Sequence, residues 1–278
     1  MTDCEPFLTF EIRNAIFAHM EAETPNECCG WITLADGQYT YVPRKNVHPD
    51  PENHFRMKKQ DAVNVMTNDA IVAYVHSHPA GPMWASKGDM ETQIKVNKPC
   101  VIVARDLLTG TVDIFSIGNH LLDYPLEGRE FHYTRFDCYE AIRSEAWQRE
   151  RRRMEAFPRK NGWWNPHENP DIEDDDLDMY ERYYETQGYT EFKPVFDNPN
   201  SEFHPRIGDL VLMQLGSKWI NHAAVYVGNN QVYHHRVDKR SGRTPIGAFM
   251  HGDQIRKWIR HENSVNVVEF EKSEGRLS

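Results

Sequence analysis

The sequence predicts an α/β (α+β) chain of two domains in series, the second built on an antiparallel sheet. Three observations predict it. Residues 1–118 alternate helix-period and strand-period segments, the order expected of a mixed α/β domain. Residues 209–237 instead carry three β-rich runs in succession, DLVLMQLG, HAAVYVG and QVYHHRV, with turn residues at Gly216-Ser217 and Gly228-Asn229-Asn230, which reads as an antiparallel sheet. The length, 278 residues, suits two domains of ordinary size.

In chain order, Ile12, Ala15, Ile16, Phe17 and Met20 recur at helical spacing behind Thr9, an N-cap residue. GWITLADGQYTYVP is a hairpin, because Asp36-Gly37 is a type I′ turn pair between two β-rich runs. A short helix follows over Gln60–Met66, a buried strand over Ile71–Val75 and a further helix from Lys87. CVIVARD and TVDIFSIG are two more strands, joined by a turn at Thr109-Gly110. These elements place the first domain at 1–118, a joint at 119–127 and the second domain at 128–278. The second domain opens with a helix after Asp137. A polar stretch over 149–201 holds a basic run (Arg149, Arg151, Arg152, Arg153) and an acidic run (Glu173, Asp174, Asp175, Asp176, Asp178), expected as a solvated surface. Trp163, Trp164, Tyr180, Tyr183 and Tyr184 within it argue against full disorder.

Charge and composition exclude several classes. Lys plus Arg total 32 against 42 Asp plus Glu, a formal charge of -10, the wrong sign for a nucleic-acid backbone. No apolar run approaches the roughly 18 residues of a membrane span, so no membrane anchor is expected. The N-terminal MTDCEPFLTF lacks the basic and apolar regions of a signal peptide. The five cysteines, Cys4, Cys28, Cys29, Cys100 and Cys138, are odd in number and lack framework spacing, as expected of reduced thiols in a cytosolic protein. The adjacent pair Cys28-Cys29 leads into a strand and is expected to serve packing.

The stretch AYVHSHPAGPMWASKGDM (73–90) carries the first chemistry. His76 and His78, at i and i+2 on an extended segment, point to one side and can bind one metal ion. Asp89, at the start of the next helix, can fold back as a third ligand. Catalytic zinc takes three such ligands and keeps a fourth position for water. Glu27, just before the hairpin, is the candidate general base, and Ser86 is suited to hold an oxyanion or position the water. Together, His76-Ser77-His78-Pro79, Ser86 and Asp89 resemble the H-x-H-P-x7-S-x2-D motif of the JAMM (MPN-type) metallopeptidases. Glu27-Cys28-Cys29-Gly30 resembles the same family's upstream glutamate. The resemblance implies a JAMM/MPN-like fold and Zn2+ on His76, His78 and Asp89. It also implies Glu27 as acid/base, Ser86 supporting the tetrahedral intermediate, and cleavage of amide or isopeptide bonds.

In the second domain, Cys138 opens a helix, where the positive end of the macrodipole favours thiolate. His222, opening HAAVYVG, is the candidate base. His234, on the adjacent strand, can orient it, and His235 is expected on the opposite face. The segments D-C-Y (137–139), P-R-I-G-D-L (205–210), N-H-A-A-V-Y-V-G (221–228) and V-Y-H-H (232–235) resemble the NlpC-type cysteine peptidases, which are papain-like and cut peptidoglycan stem peptides, often at the D-Glu to diaminopimelate bond. The usual D-C-S-G start is D-C-Y-E here, as in a phage subgroup. The glycine-aromatic approach segment is shortened in GREFHYTRFDC, so its tyrosine has no match. The order of the two domains resembles the layout of lambda-type phage tail tip assembly proteins, from about Thr9 to Arg260. It implies work in the host bacterial cytoplasm during tail assembly, a place at the virion tail tip, and other phage tail tip proteins and peptidoglycan stem peptides as partners. The competing class is a structural or chaperone-like assembly factor with vestigial sites.

Overall fold

The computed structural model describes residues 4–163, 179–250 and 253–264. The chain divides into two compact units. The first holds residues to Tyr124 together with 133–135 and 156–159, and the second holds the rest from Pro125 onward. The chain thus stays with the first unit beyond the joint expected at 119. Asn119–Asp123 forms a 3-10 turn with Leu121 and Leu122 buried, and burial of each leucine is worth about 1.5–3 kcal/mol, which a solvated linker would forfeit.

The first unit is a five-stranded sheet, order β2-β1-β3-β4-β5, over β1 (Cys29–Ala35), β2 (Gln38–Arg44), β3 (Ile71–His78), β4 (Cys100–Arg105) and β5 (Val112–Ile117). Only β3 and β4 pair in parallel, because α3 (Lys87–Val96) makes the crossover between them. Asp36 and Gly37 close the hairpin with φ of 51° and 77°, the positive pair that a type I′ turn requires. Gly30 is obligatory for a different reason: a Cβ there would stand 2.6 Å from the Val42 carbonyl oxygen. Helix α1 (Phe10–Glu23) is capped by Thr9, whose Oγ1 accepts from the Ile12 amide at 3.3 Å. It buries Ile12, Ile16 and Met20 against Ile32, Ala73, Val75, Val101 and Val103. Phe17, expected inside, is 39% exposed, because the buried stripe is only one residue wide per turn. The other sheet face packs Trp31, Tyr74, Ile102 and Phe115 with Val65 of α2 (Lys59–Thr67) and Met90 of α3.

The second unit is a six-stranded sheet, order β10-β9-β8-β7-β11-β6, antiparallel throughout. Its strands are β6 (Tyr189–Phe192), β7 (Leu210–Met213), β8 (His222–Tyr226), β9 (Gln231–His234), β10 (Gly242–Pro245) and β11 (Ile255–His261). The three runs read from the sequence are β7, β8 and β9. Helix α4 (Cys138–Glu150) packs against β8 and β9. Asp209 in the P-R-I-G-D-L segment is fully buried and takes both prongs of Arg260 at 2.8 and 2.7 Å, which ties β11 to the entry of β7. In the basic run Arg151 and Arg153 are exposed, as expected, whereas Arg149 and Arg152 are half-buried. Arg149 bonds Glu145 and Glu150 at 2.8 and 2.6 Å, and Arg151 and Arg153 lie over the Trp147 ring at 5.3 and 5.4 Å. Carboxylates and an aromatic of α4 supply these partners. Trp164 and the acidic run lie outside the described residues. Among the described residues no helix is long and apolar enough to cross a membrane.

Candidate active sites

Strand β3 sets the first site. Alternation along it sends Tyr74, His76 and His78 to one face and Val75 and Ser77 to the other. Ser77 therefore serves the opposite side, where its Oγ accepts from the Cys28 amide at 2.7 Å. Ser86 caps α3 and Asp89 sits three residues on, in a reciprocal capping box that aims the Asp89 carboxylate back at the strand.

His76 Nε2 lies 3.2 Å from His78 Nε2 and 3.0 Å from Asp89 Oδ1, and His78 Nε2 lies 3.3 Å from Asp89 Oδ2. Ligands around zinc at about 2.0–2.1 Å would be separated by roughly 3.3 Å; the three contacts are close to that spacing, with one Asp89 oxygen toward each ring, so His76, His78 and Asp89 form a group that could hold a metal ion. The outer nitrogens are engaged as well: His78 Nδ1 bonds the Pro82 carbonyl at 2.8 Å, the kind of partner a ligand imidazole takes, and His76 Nδ1 lies 3.6 Å from Cys100 Sγ. Phe55 stacks on the His76 ring at 4.4 Å. All three donors are buried. Burial alone would push His78 down, but Asp89 overrides it and raises the ring. Burial likewise opposes ionisation of Asp89, yet the two imidazoles hold its carboxyl far below the usual range.

Glu27 comes to the same place. Burial pushes its carboxyl up, against the pull of His76 and His78, and its Oε2 is buried without a hydrogen-bond partner. An oxygen so placed is available for a proton or a water. Asn46, which the sequence did not single out, holds this segment. Its side-chain amide donates to the carbonyls of Glu27 and His54 at 3.0 and 2.9 Å, and its oxygen accepts from the Arg56 amide at 3.0 Å. Ser86 has a partner that the sequence reading did not single out. Its hydroxyl donates to Asp89 Oδ2 at 2.7 Å, so its one proton is directed at the carboxylate. Cys28 and Cys29 are buried, and burial pushes their thiols up to about 11 and about 12, the behaviour of packing residues.

The second site gathers around α4. Asp137 caps the helix, accepting from the amides of Tyr139 and Glu140 at 3.0 Å each, and this holds Cys138 at the first turn. A cleft of about 420 Å³ is lined by Cys138, His222, His235, Asn221 and Phe131 among others. His222 Nε2 lies 3.0 Å from His234 Nδ1, and His234 Nε2 lies 2.9 Å from Thr244 Oγ1. With Nε2 engaged, Nδ1 is the nitrogen His222 has left for the cleft. Desolvation pushes His222 well down and His234 down to about 4, so both rings are neutral near pH 7. His235 lines the cleft instead of the opposite face, because β9 ends at His234 and strand alternation stops there. The sequence also gave no role to Tyr180, whose hydroxyl donates to Cys138 Sγ at 3.4 Å. It lies on a short helix, Met179–Tyr183, in the polar stretch, and its aromatic character was the only signal.

These two sites fall in separately matched regions. The family described as prokaryotic homologs of the JAB domain matches residues 11–118, and the NlpC/P60 family matches residues 128–258. A solved NlpC/P60 family protein from Bacillus cereus aligns over 88% of this chain and 66% of that one, at 11% identity and a TM-score of 0.28. Tail tip assembly protein K of Escherichia phage lambda is 31% identical over 187 residues, covering 67% of this chain and 80% of that protein. Its namesake from Escherichia phage N15 is 30% identical over 254 residues, covering 90% of this chain and 94% of that protein. With both matched regions and nearly its whole length shared with such relatives, the chain belongs to the family of the lambda-type phage tail tip assembly protein K.

Proposed function

We propose that the chain works in phage tail tip assembly and carries two peptidase centres. One is a zinc-dependent amide or isopeptide hydrolase within residues 1–118. The other is a cysteine endopeptidase for peptidoglycan stem peptides within residues 128–278. The name carried by the N15 and lambda relatives supports the assembly role, with other tail tip proteins as partners, the host cytoplasm as the site of assembly and the virion tail tip as a destination. The observation that carries the catalytic reading is the pairing of two complete sets, the His76–His78–Asp89 triangle beside an orphaned Glu27 oxygen and the Cys138–His222 cleft backed by His234.

In the first centre His76, His78 and Asp89 would hold the ion, and zinc so held supplies a Lewis acid and a bound water of pKa near about 7. Glu27 takes the proton of the attacking water and returns it to the leaving amine, a task suited to a carboxyl whose affinity for protons burial has raised. Ser86 orients Asp89. In the second centre His222 Nδ1 takes the thiol proton and Cys138 Sγ attacks the peptide carbonyl. The amine departs with the proton from His222, and water then cleaves the thioester. His234 orients the base. The Tyr180 hydroxyl donates toward the sulfur, which favours thiolate.

Mass spectrometry of products from purified peptidoglycan and from purified tail proteins tests the reading, with one arm chelated and one arm alkylated. Stem-peptide cutting should stop with alkylation and survive chelation. Cutting that chelation stops and alkylation spares would assign it to the zinc centre. No turnover of either substrate in any arm would reduce the chain to an assembly factor without catalysis.

A further inference from the structure

The polar row behind Cys138 does not end at His234. Strands β8, β9 and β10 are neighbours. Gly242 pairs with His234, so Thr244, two residues on, lies on the same face. The β8–β9 pairing of Val225 with Tyr233, carried one step further, sets Ala224 opposite His234 and His222 two residues beyond. His222, His234 and Thr244 therefore form a diagonal across three strands, a spacing that polar side chains can bridge. The contacts are 3.0 Å and 2.9 Å. Phe249 meets the His234 ring edge-on at 5.1 Å and fixes its plane.

Such a row can donate in either direction, because a threonine hydroxyl is both donor and acceptor. If Thr244 donates to His234 Nε2, His234 carries its proton on Nδ1 and donates to His222 Nε2. The one proton of neutral His222 then sits on Nδ1, facing the cleft, and the ring cannot accept from a thiol. If Thr244 accepts, every step reverses. His234 Nε2–H points to Thr244, His222 Nε2–H points to His234, and His222 Nδ1 keeps its lone pair. Once His222 is protonated it carries N–H on both nitrogens, and only this second direction leaves an acceptor at its Nε2. The charged or titratable groups acting on the histidine pair among the described residues are Arg236 and His235. Among the described residues no carboxylate acts on it, which leaves the hydroxyl at the end of the row as the group whose role, donor or acceptor, goes with the direction.

We propose that Thr244 is a positioning residue of the cysteine site: by accepting from His234 Nε2 it holds His222 in the tautomer that can take the Cys138 proton. This rests on the reading of Cys138 and His222 as nucleophile and base. The test is imidazole nitrogen NMR on the ¹⁵N-labelled full chain near pH 7, with the pH–rate profile of Cys138 alkylation by iodoacetamide beside it. In the unmutated protein His234 and His222 should both carry their proton on Nε2. Thr244→Val keeps the side-chain shape on an edge strand but removes the acceptor. It should shift His234 toward the Nδ1–H tautomer and slow alkylation several-fold near pH 6, and Thr244→Ser should restore both. His234 found as Nδ1–H in the unmutated chain would overturn the proposal without any variant. So would a Thr244→Val protein whose tautomers match the unmutated chain, whatever its alkylation rate. Correct tautomers that respond to Thr244, with no stem-peptide cleavage, would sink the endopeptidase reading while supporting the role of Thr244.

Discussion

His76 and His78 stand two residues apart on one strand, with a carboxylate against both rings at 3.0 and 3.3 Å. His222 and His234 stand twelve residues apart on adjacent strands, touching at 3.0 Å with the cation Arg236 for an electrostatic neighbour. The two pairs are equally buried, yet their surroundings push them opposite ways. Asp89 raises His78, whereas burial and Arg236 push His234 down to about 4. An anion beside paired imidazoles makes a site that attracts a cation. The same pair without an anion remains neutral and can relay a proton.

The sharpest way to break this contrast is to remove one member from each set. Cys138→Ala should abolish stem-peptide cleavage, a loss of at least about 10⁴-fold for a missing nucleophile, and leave zinc content at about one per chain. His78→Ala should empty the metal site by elemental analysis and leave the iodoacetamide reactivity of Cys138 unchanged. Full zinc occupancy in His78→Ala would remove the basis for the metal centre.

Glu27→Gln divides the first centre internally. Zinc content should be retained, because Glu27 is outside the His76–His78–Asp89 triangle, while amide hydrolysis should fall by about 10²–10⁴, the usual worth of a general base. Unchanged hydrolysis in Glu27→Gln would assign proton transfer to another group.

The difference between the two pairs also explains what could be read in advance. The first pair is local in sequence: period-two alternation places both rings on one side, and the Ser86–Asp89 spacing is a capping box, so three candidate ligands and their cap fall within fourteen residues (76–89). The second site depends on strand register. The β8 and β9 runs were legible and so were His222 and His234, but Thr244 lies on β10, a four-residue edge strand, GRTP, with no apolar alternation. Strand β6 hid in the polar stretch for the same reason: its burial comes from pairing with β11 and not from its own composition. Asn46 and Tyr180 act through loop carbonyls and through a sulfur forty-two residues away, and no sequence period encodes such contacts.

Acid should separate the units by a smaller amount. His234 and His235 are pushed down to about 4 by burial, and His222 is also lowered. Their folded values lie below the ordinary 6.5, so between these limits the unfolded chain binds more protons. The stability that His234 and His235 contribute is fully present above pH 6.5 and is lost as pH falls toward about 4, by roughly 1–3 kcal/mol per ring, and His222 acts in the same sense. In the first unit His120, pushed down to about 3 by burial, acts in the same sense, whereas His78 is raised and acts in the opposite one. Native-state hydrogen exchange at pH 7 and pH 5 should therefore show amide protection falling more in β8 and β9 than in β3 and β4. An equal fall in both units would mean that the contrast between the histidine pairs has no energetic consequence.

The finest test concerns Ser86, where a cap and a ligand orienter are the same side chain. Its Oγ accepts from the Asp89 amide at 3.1 Å and donates to Asp89 Oδ2 at 2.7 Å. Ser86→Ala removes both bonds. Loss of the cap costs about 1 kcal/mol of stability. Loss of the hydroxyl donor leaves Asp89 Oδ2 with only the residue-86 amide, at 2.8 Å, to hold the carboxylate in the triangle, and removing such an outer partner weakens metal binding by about 10–100-fold. Zinc affinity measured by competition with a chelator should drop by that factor, and Cys138 alkylation should not change. If zinc affinity in Ser86→Ala stays at the unmutated value while hydrolysis falls, the hydroxyl acts on the reacting carbonyl after all, and the geometry that ties it to Asp89 would describe only the metal-free chain.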